Sequence, residues 1–111
     1  HKKGGIRMKL VNVTNSHRNL VNKQLENTDA HFVKVYSEGN TTVVYSEAQR
    51  HVEILILNQK RAIRKTEVNE ILKFFLKRLP KELIDKNRIE TIEMKGITEI
   101  SIPLTEALIR N

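Results

Sequence analysis

The 111-residue chain has no cysteine and no tryptophan, and it contains only four glycines and two prolines. Without cysteine, the sequence excludes a disulfide framework, an iron–sulfur cluster and a cysteine nucleophile. No run of about 18 apolar residues occurs, so we predict no membrane-spanning segment. These absences favour a cytoplasmic domain that is held together by a hydrophobic core.

Basic residues outnumber acidic ones, 20 to 13, which gives a formal charge of +7. Residues 1–7 are typical of an affinity-tag remnant, because His, Lys and Gly residues run directly into Met8. Without Lys2, Lys3 and Arg7, 17 basic residues remain and the charge falls to +4. We interpret residues 8–111 as a single domain, since this length is sufficient for one core.

The first half of the domain predicts a strand, a helix and a strand meander. Residues 8–13 are apolar on both alternating positions, which is typical of a strand with neighbours on each side. Capping side chains at Thr14 to Ser16 precede a predicted helix at 16–27. Alternating apolar residues then predict three antiparallel strands near 30–37, 41–47 and 50–58.

A second helix is the most regular pattern in the chain, with Thr66 as its predicted cap and Pro80 as its end. Its apolar side chains recur at the spacing of one helix face: Val68, Ile71, Leu72, Phe75, Leu76 and Leu79.

The C-terminal thirty residues leave alternatives open. Residues 97–102 alternate and stop at Pro103, which predicts a strand. Residues 88–94 pair with it across Lys95-Gly96, or form a helix that ends at Gly96. We also expect a short terminal helix at 104–110. The order of elements predicts an α+β two-layer sandwich, with a mainly antiparallel sheet and its helices on one face.

A tight turn at Gly39-Asn40 places Lys34 opposite Tyr45 and Tyr36 opposite Val43. A three-residue loop at 47–49 then predicts one aliphatic face: Val33, Val35, Val44, Val52, Ile54 and Ile56. The opposite face contains Val43, His51 and Glu53 together with a predicted interaction set: Phe32, Lys34, Tyr36, Tyr45, Leu55 and Leu57. That face is too apolar to remain in water.

Three explanations account for this second face. The C-terminal segment or the N-terminal helix covers it, or two copies associate through it as a homo-oligomer, since interfaces place such side chains at their centres. The third is a stacking platform for single-stranded nucleic acid. The basic-aromatic signature of RNA-recognition strands is absent, and Leu55 and Leu57 favour a drier partner.

Positive charge is concentrated at residues 60–81, a window of eight basic and two acidic residues. Such a segment predicts a nucleic-acid or anion patch whose binding depends on salt. The alternative is a solvated helix face without a partner. The predicted patch consists of Lys60, Arg61, Arg64, Lys65, Lys73 and Lys77.

A weaker candidate for anion binding lies where the first strand meets the first helix. Free amides at a helix start, together with Arg18, attract a phosphate or a carboxylate. The candidate residues are Asn15, Ser16, His17 and Arg18. An enzyme or small-ligand protein with its site at this turn would need a concave pocket there.

No recognisable catalytic or metal motif occurs elsewhere. His17, His31 and His51 lack metal-ligand spacing, and no phosphate-binding glycine motif is present. We therefore predict no catalytic residue, no metal and no cofactor, and the sequence favours a role other than catalysis.

The opening segment, residues 8–17 with the sequence MKLVNVTNSH, and residues 51–56 with the sequence HVEILI carry a family resemblance. Together with the chain length, they resemble small uncharacterised proteins from streptococci and related Gram-positive bacteria. The resemblance implies a cytoplasmic bacterial protein and assigns no catalytic residue. Our leading hypothesis is a non-catalytic interaction module that self-associates through the second sheet face.

Overall fold

The structure, a computed structural model, describes residues 6–108 and, among these, all side chains except those of residues 27 and 28. Six strands and two helices form the domain. In chain order they are β1 (Lys9–Val11), α1 (Asn15–Thr28), β2 (Phe32–Glu38), β3 (Thr41–Ala48), β4 (His51–Asn58), α2 (Lys65–Leu76), β5 (Glu90–Met94) and β6 (Ile97–Pro103). Two short 3₁₀ turns, Lys81–Leu83 and Lys86–Arg88, connect α2 to β5.

The strands form one antiparallel sheet in the order β1-β2-β3-β4-β6-β5. The predicted α+β class with a mainly antiparallel sheet is confirmed, and so are the three-strand meander and the C-terminal hairpin. The helical alternative for residues 88–94 is wrong, because Met94 pairs with Ile97 in a β-hairpin. The predicted terminal helix is absent over residues 104–108, and its last residues lie outside the described chain.

The helix boundaries follow from local hydrogen bonds. Helix α2 begins before Thr66, so the predicted cap is wrong: the Glu67 carboxylate instead accepts from the backbone N–H of Arg64, at 3.0 Å. At the other end, the Arg78 guanidinium donates to the carbonyl of Phe74 at 2.7 Å, which satisfies one of the free carbonyls of the last turn. The helix therefore ends four residues before Pro80.

The turn between β3 and β4 is one residue shorter than predicted. Ala48 pairs with His51 across the two-residue turn Gln49-Arg50, so the predicted three-residue loop is wrong, and Val44 lies opposite Leu55 instead of Val52. Because side chains alternate between faces, this shift by an odd number of residues transfers every β4 side chain to the other side. The hydrophobic pattern did not settle this choice, since residues 54–57 are apolar at consecutive positions.

One face of the sheet forms the main core beneath α2. Its β3 and β4 side chains, among them Val43, Tyr45 and Ile54, pack against Ile71 and Phe75 of the helix. The rings of Tyr45 and Phe75 stack with their centroids 4.7 Å apart and their planes 13° apart. The second helix of the prediction thus covers the aromatic side of β2 and β3.

The other face forms a smaller core with α1. Val35, Val44 and Leu55 pack there against Leu20 and Val21 of the helix. The all-aliphatic floor that we predicted for both helices is therefore wrong. Its β2 and β3 members lie on the α1 side, while Val52, Ile54 and Ile56 lie on the α2 side, because the β4 register is shifted.

The hairpin between β5 and β6 provides a test of the backbone geometry. Lys95 and Gly96 both have positive φ angles, 43° and 83°, as a tight type I′ turn requires. A Cβ added at Gly96 would meet no atom within 4 Å, so only the backbone conformation opposes a side chain there.

Gly96→Ala should lower the free energy of unfolding by about 1 kcal/mol in urea denaturation. Lys95→Asn should change it in the opposite direction, and an unchanged Gly96→Ala variant would contradict this turn.

Candidate functional site

A recess with aromatic walls lies between the C-terminal end of α2 and strands β2 and β3. We call it the aromatic recess, and its volume is about 230 Å³. Its lining residues are Phe32, Lys34, Tyr36, Tyr45, Phe75 and Arg78.

The aromatic rings of this recess contact one another. Phe32 meets Tyr45 edge to face with ring centroids 6.5 Å apart, and Tyr36 meets Phe75 in the same way at 5.3 Å. The Nζ of Lys34 lies 5.0 Å from the centre of the Phe32 ring. Such contacts hold the rings in fixed orientations. The recess thus presents ring edges and a lysine ammonium.

A buried carboxylate lies behind the aromatic recess. Glu47 is fully buried in β3, and the Tyr45 hydroxyl donates a hydrogen bond to its Oε2. A buried carboxylate is costly unless hydrogen bonds compensate for lost hydration. This bond orients Tyr45 at the back of the recess. The sequence pattern did not predict it, because Glu47 was assigned to the loop between two strands.

The predicted interaction set is only partly assembled. Phe32, Lys34, Tyr36 and Tyr45 do come together, but Leu55 and Leu57 lie on the α1 side of the sheet. Tyr45 is 5% exposed and Leu55 is 7% exposed, so neither belongs to an open face. The six side chains therefore do not share one face, and the aromatic side is covered by α2 rather than by the N-terminal helix. The chain itself covers the aromatic side, mainly with α2.

A second recess lies between α2 and the segment that follows it, and we call it the lysine groove. Its floor is apolar, formed by Leu76 and Ile84, and its volume is about 140 Å³. Four exposed lysines surround the floor: Lys73, Lys77, Lys81 and Lys86.

Sequence reasoning found only part of the lysine groove. Lys73 and Lys77 belong to the predicted patch, whereas Ile84 and Lys86 lie beyond Pro80 and were not linked to it. The chain returns here because Ile84 forms an isolated β-bridge with Leu104, next to β6. The available signal was the recurrence of lysines at 77, 81 and 86 around an apolar segment.

The N-terminal part of the predicted patch has a structural role. The Arg61 guanidinium donates to both carboxylate oxygens of Glu67, at 2.6 and 2.9 Å. These hydrogen bonds are the main reason that the pKa of Glu67 falls to about 2. The backbone N–H groups of Lys60 and Arg61 also donate to the Asn58 side chain. Arg61 of the predicted patch is therefore held in an ion pair with Glu67. Lys73 and Lys77 of the same patch lie at the lysine groove instead.

The candidate anion turn is occupied by its own side chains. The backbone N–H of Thr14 donates to Nδ1 of His17 at 3.4 Å, and the hydroxyls of Thr14 and Ser16 share a hydrogen bond of 2.7 Å. Asn15 and Arg18 are exposed on the first turn of α1. The geometry explains His17 and Ser16 as groups that stabilise the helix start.

Residues 6–108 offer neither a metal-ligand cluster nor a helix suited to a bilayer. No group of three or more potential ligand residues is close enough there to hold a metal ion. The Nε2 of His51 instead lies 3.6 Å from the Oε1 of Glu53 in the same strand. Neither helix of this part of the chain combines the length and hydrophobicity that crossing a bilayer requires.

Comparisons with known proteins agree with the predicted resemblance. Residues 8–103 match a family described as a domain of unknown function, DUF1827. A solved structure, described as a conserved protein of unknown function from Streptococcus thermophilus LMG 18311, is 45% identical. The match covers 89% of this chain and 99% of that chain, with a TM-score of 0.72. A search of curated proteins found no match. The predicted link to uncharacterised streptococcal proteins is confirmed.

The Arg61–Glu67 pair generates a prediction about pH. Arg61→Ala should raise the pKa of Glu67 towards the ordinary value for glutamate, measured by NMR titration of the carboxyl carbon. Because the folded-state pKa is lowered, the pair stabilises the fold above the unfolded pKa, and this stabilisation is lost as the pH falls towards 2.

The stability difference between wild type and Arg61→Ala should therefore be present at neutral pH and vanish near pH 2. Arg61→Lys serves as the control, because it keeps the charge and loses the two parallel hydrogen bonds. An unchanged Glu67 titration in Arg61→Ala would show that Arg61 does not hold this carboxylate.

Proposed function

Because the chain belongs to the DUF1827 family of unknown function, we propose its role from its own geometry: a non-catalytic, cytoplasmic interaction module that binds an acidic segment of a partner protein. The binding surface is the C-terminal half of α2 with the recesses on either side of it. A cytoplasmic location agrees with the cysteine-free sequence.

The observation that carries this proposal is the uniform charge of the two recesses. The aromatic recess contains Lys34 and Arg78, and the lysine groove contains four lysines. No carboxylate lines either recess in the described chain. Like charges held this close repel one another, and an anionic partner relieves that repulsion while gaining attraction.

The apolar floor of the lysine groove favours a protein segment over a small inorganic anion. Leu76 and Ile84 are half-buried there and offer a contact for one apolar side chain. Binding surfaces commonly combine an apolar anchor with a charged rim. An acidic segment that carries a leucine or phenylalanine matches this arrangement.

Nucleic acid is the second candidate, supported by the exposed cations Lys60, Arg64 and Lys65 at the other end of α2. The helix has 12 residues, so the cations along it extend over about 18 Å. The aromatic side chains give this candidate less support, because single-strand binding needs rings on which bases can stack. Tyr45 and Phe75 are buried against each other instead.

The remaining hypotheses have less support. A ligand site or enzyme at residues 14–18 would need free polar groups, but Thr14, Ser16 and His17 bond to one another. Self-association through the predicted sheet face would need Tyr45 and Leu55 to be accessible on one side. We therefore place the partner on the basic side of α2.

A charge-reversal experiment tests the proposal with a fluorescein-labelled peptide in which Glu and Leu recur at helix spacing. Binding is measured by anisotropy at low and high salt. Lys77→Glu combined with Lys86→Glu should weaken binding about tenfold, because two close ion pairs are replaced by repulsion. Binding to the wild type should also weaken as salt is added.

Lys9→Glu combined with Lys23→Glu is the matched control, because it reverses two exposed lysines, on β1 and α1, on the other side of the sheet. This variant should bind the peptide almost as the wild type does. Equal losses in both proteins would indicate non-specific attraction and contradict the site. Tighter binding of a thymidine 20-mer, weakened by Lys60→Glu with Lys65→Glu, would favour nucleic acid instead.

A further inference from the structure

A second surface lies on the α1 side of the sheet, where α1 covers only part of the strands. The helix packs over β2 and β3, with Leu20 and Val21 against Val35 and Val44. The side chains of β5 on this side lie beyond it, and so does Leu57 near the end of β4, whereas Ile97 of β6 contacts the edge of the small core and Glu53 reaches Gln24 of α1. We call this region the open half-face.

One end of the open half-face is apolar. Leu57, Ile97 and Met94 are direct cross-strand neighbours and form a row across β4, β6 and β5. Met94 is 54% exposed, and Ile92, two residues away on the same side of β5, is 43% exposed. Adjacent apolar side chains with this exposure mark a contact surface more often than an ordinary solvated strand.

The other end is acidic. Glu99 lies between Leu55 and Ile92 in the row next to the apolar one, and Glu53 and Glu90 flank Ser101 in the row beyond it. Burial and the neighbouring Glu99 raise the pKa of Glu53, while His51 and a hydrogen bond from Gln24 of α1 act in the opposite direction. Glu53 and Glu99 therefore repel each other, and the ion-pair partner of Glu53 within its own strand is His51, whose Nε2 lies 3.6 Å from the Glu53 Oε1.

The dimensions of the uncovered strip match one helix. Neighbouring strands lie about 4.8 Å apart, so three strands are about 10 Å across. An α-helix with its side chains has a diameter of about 10 Å. A helix placed beside α1 would cover the apolar row and bring its flanking side chains to the carboxylates.

We propose that the open half-face binds a basic amphipathic helix of a partner protein, which lies beside α1 over β4, β6 and β5. The apolar stripe of that helix contacts Leu57, Ile97, Met94 and Ile92, and its lysines or arginines pair with Glu90 and Glu99. Charge complementarity selects this occupant, because the surface is acidic although the chain as a whole carries +7. The proposal does not depend on the basic side of α2.

The test uses a fluorescein-labelled 18-residue peptide with Leu and Lys at helix spacing. A control peptide has the same composition in strict alternation, which gives no helical stripe. The helical peptide should bind the wild-type protein more tightly than the control peptide. Ile92→Thr with Met94→Thr should weaken its binding about tenfold, because the apolar anchors are removed.

Two charge variants of the hairpin form a matched pair. Glu99→Gln, on the open half-face, should weaken binding about threefold. Glu93→Gln removes the same charge from the opposite side of the same hairpin and should leave the affinity unchanged. Amide shifts of the isotopically labelled wild-type protein on peptide addition should lie at residues 90–101, which tests the site without any substitution.

Three results would overturn the proposal. The first is equal binding of the two peptides, and the second is an equal effect of Glu99→Gln and Glu93→Gln. The third is a wild-type dimer in analytical ultracentrifugation that Met94→Thr converts to monomer, because a second copy would then occupy this surface.

Discussion

The pairing of Ala48 with His51 across the turn at Gln49-Arg50 determines which side of β4 faces each helix. This pairing puts Val52, Ile54 and Ile56 beneath α2, beside the aromatic side chains of β2 and β3. It puts Leu55 against α1, brings Glu53 within hydrogen-bond distance of Gln24 on that helix, and leaves Leu57 towards the uncovered strands. The open half-face follows from this register, since a shift of β4 by an odd number of residues would move Leu57 to the other side of the sheet.

The sequence predicted those elements whose hydrophobic pattern is compatible with only one secondary structure. The apolar spacing from Val68 to Phe75 identified α2, and the alternating meander identified β2 to β4. The turn at Gly39-Asn40 correctly placed Lys34 opposite Tyr45. The helix has a single periodicity and the turn between β2 and β3 has a defined length, so local rules were sufficient for these elements.

The remaining features depend on tertiary contacts that the local pattern does not contain. Residues 54–57 are apolar on both sides of β4, so hydrophobicity allowed two registers, and the shorter turn decided between them. The lysine groove needs the chain after Pro80 to return beside α2, which the pairing of Ile84 with Leu104 brings about. The predicted patch therefore contained Lys73 and Lys77 but missed Ile84 and Lys86.

Positive and negative side chains are distributed unequally over the surface of the domain. Cations line the recesses beside α2, one of the cations in the predicted patch is paired with Glu67, and carboxylates gather on the open half-face of the sheet. Each of these surfaces can attract a partner of the opposite charge. This distribution supports our proposal of an interaction module.

Amide chemical-shift mapping of the isotopically labelled protein with the Glu/Leu peptide tests the central claim most directly. The account predicts that the shifted amides lie at residues 73–86, with further shifts near Lys34, and that residues 90–101 stay unchanged. Shifts centred on the open half-face, or an absence of shifts at peptide concentrations that saturate the anisotropy signal, would contradict it.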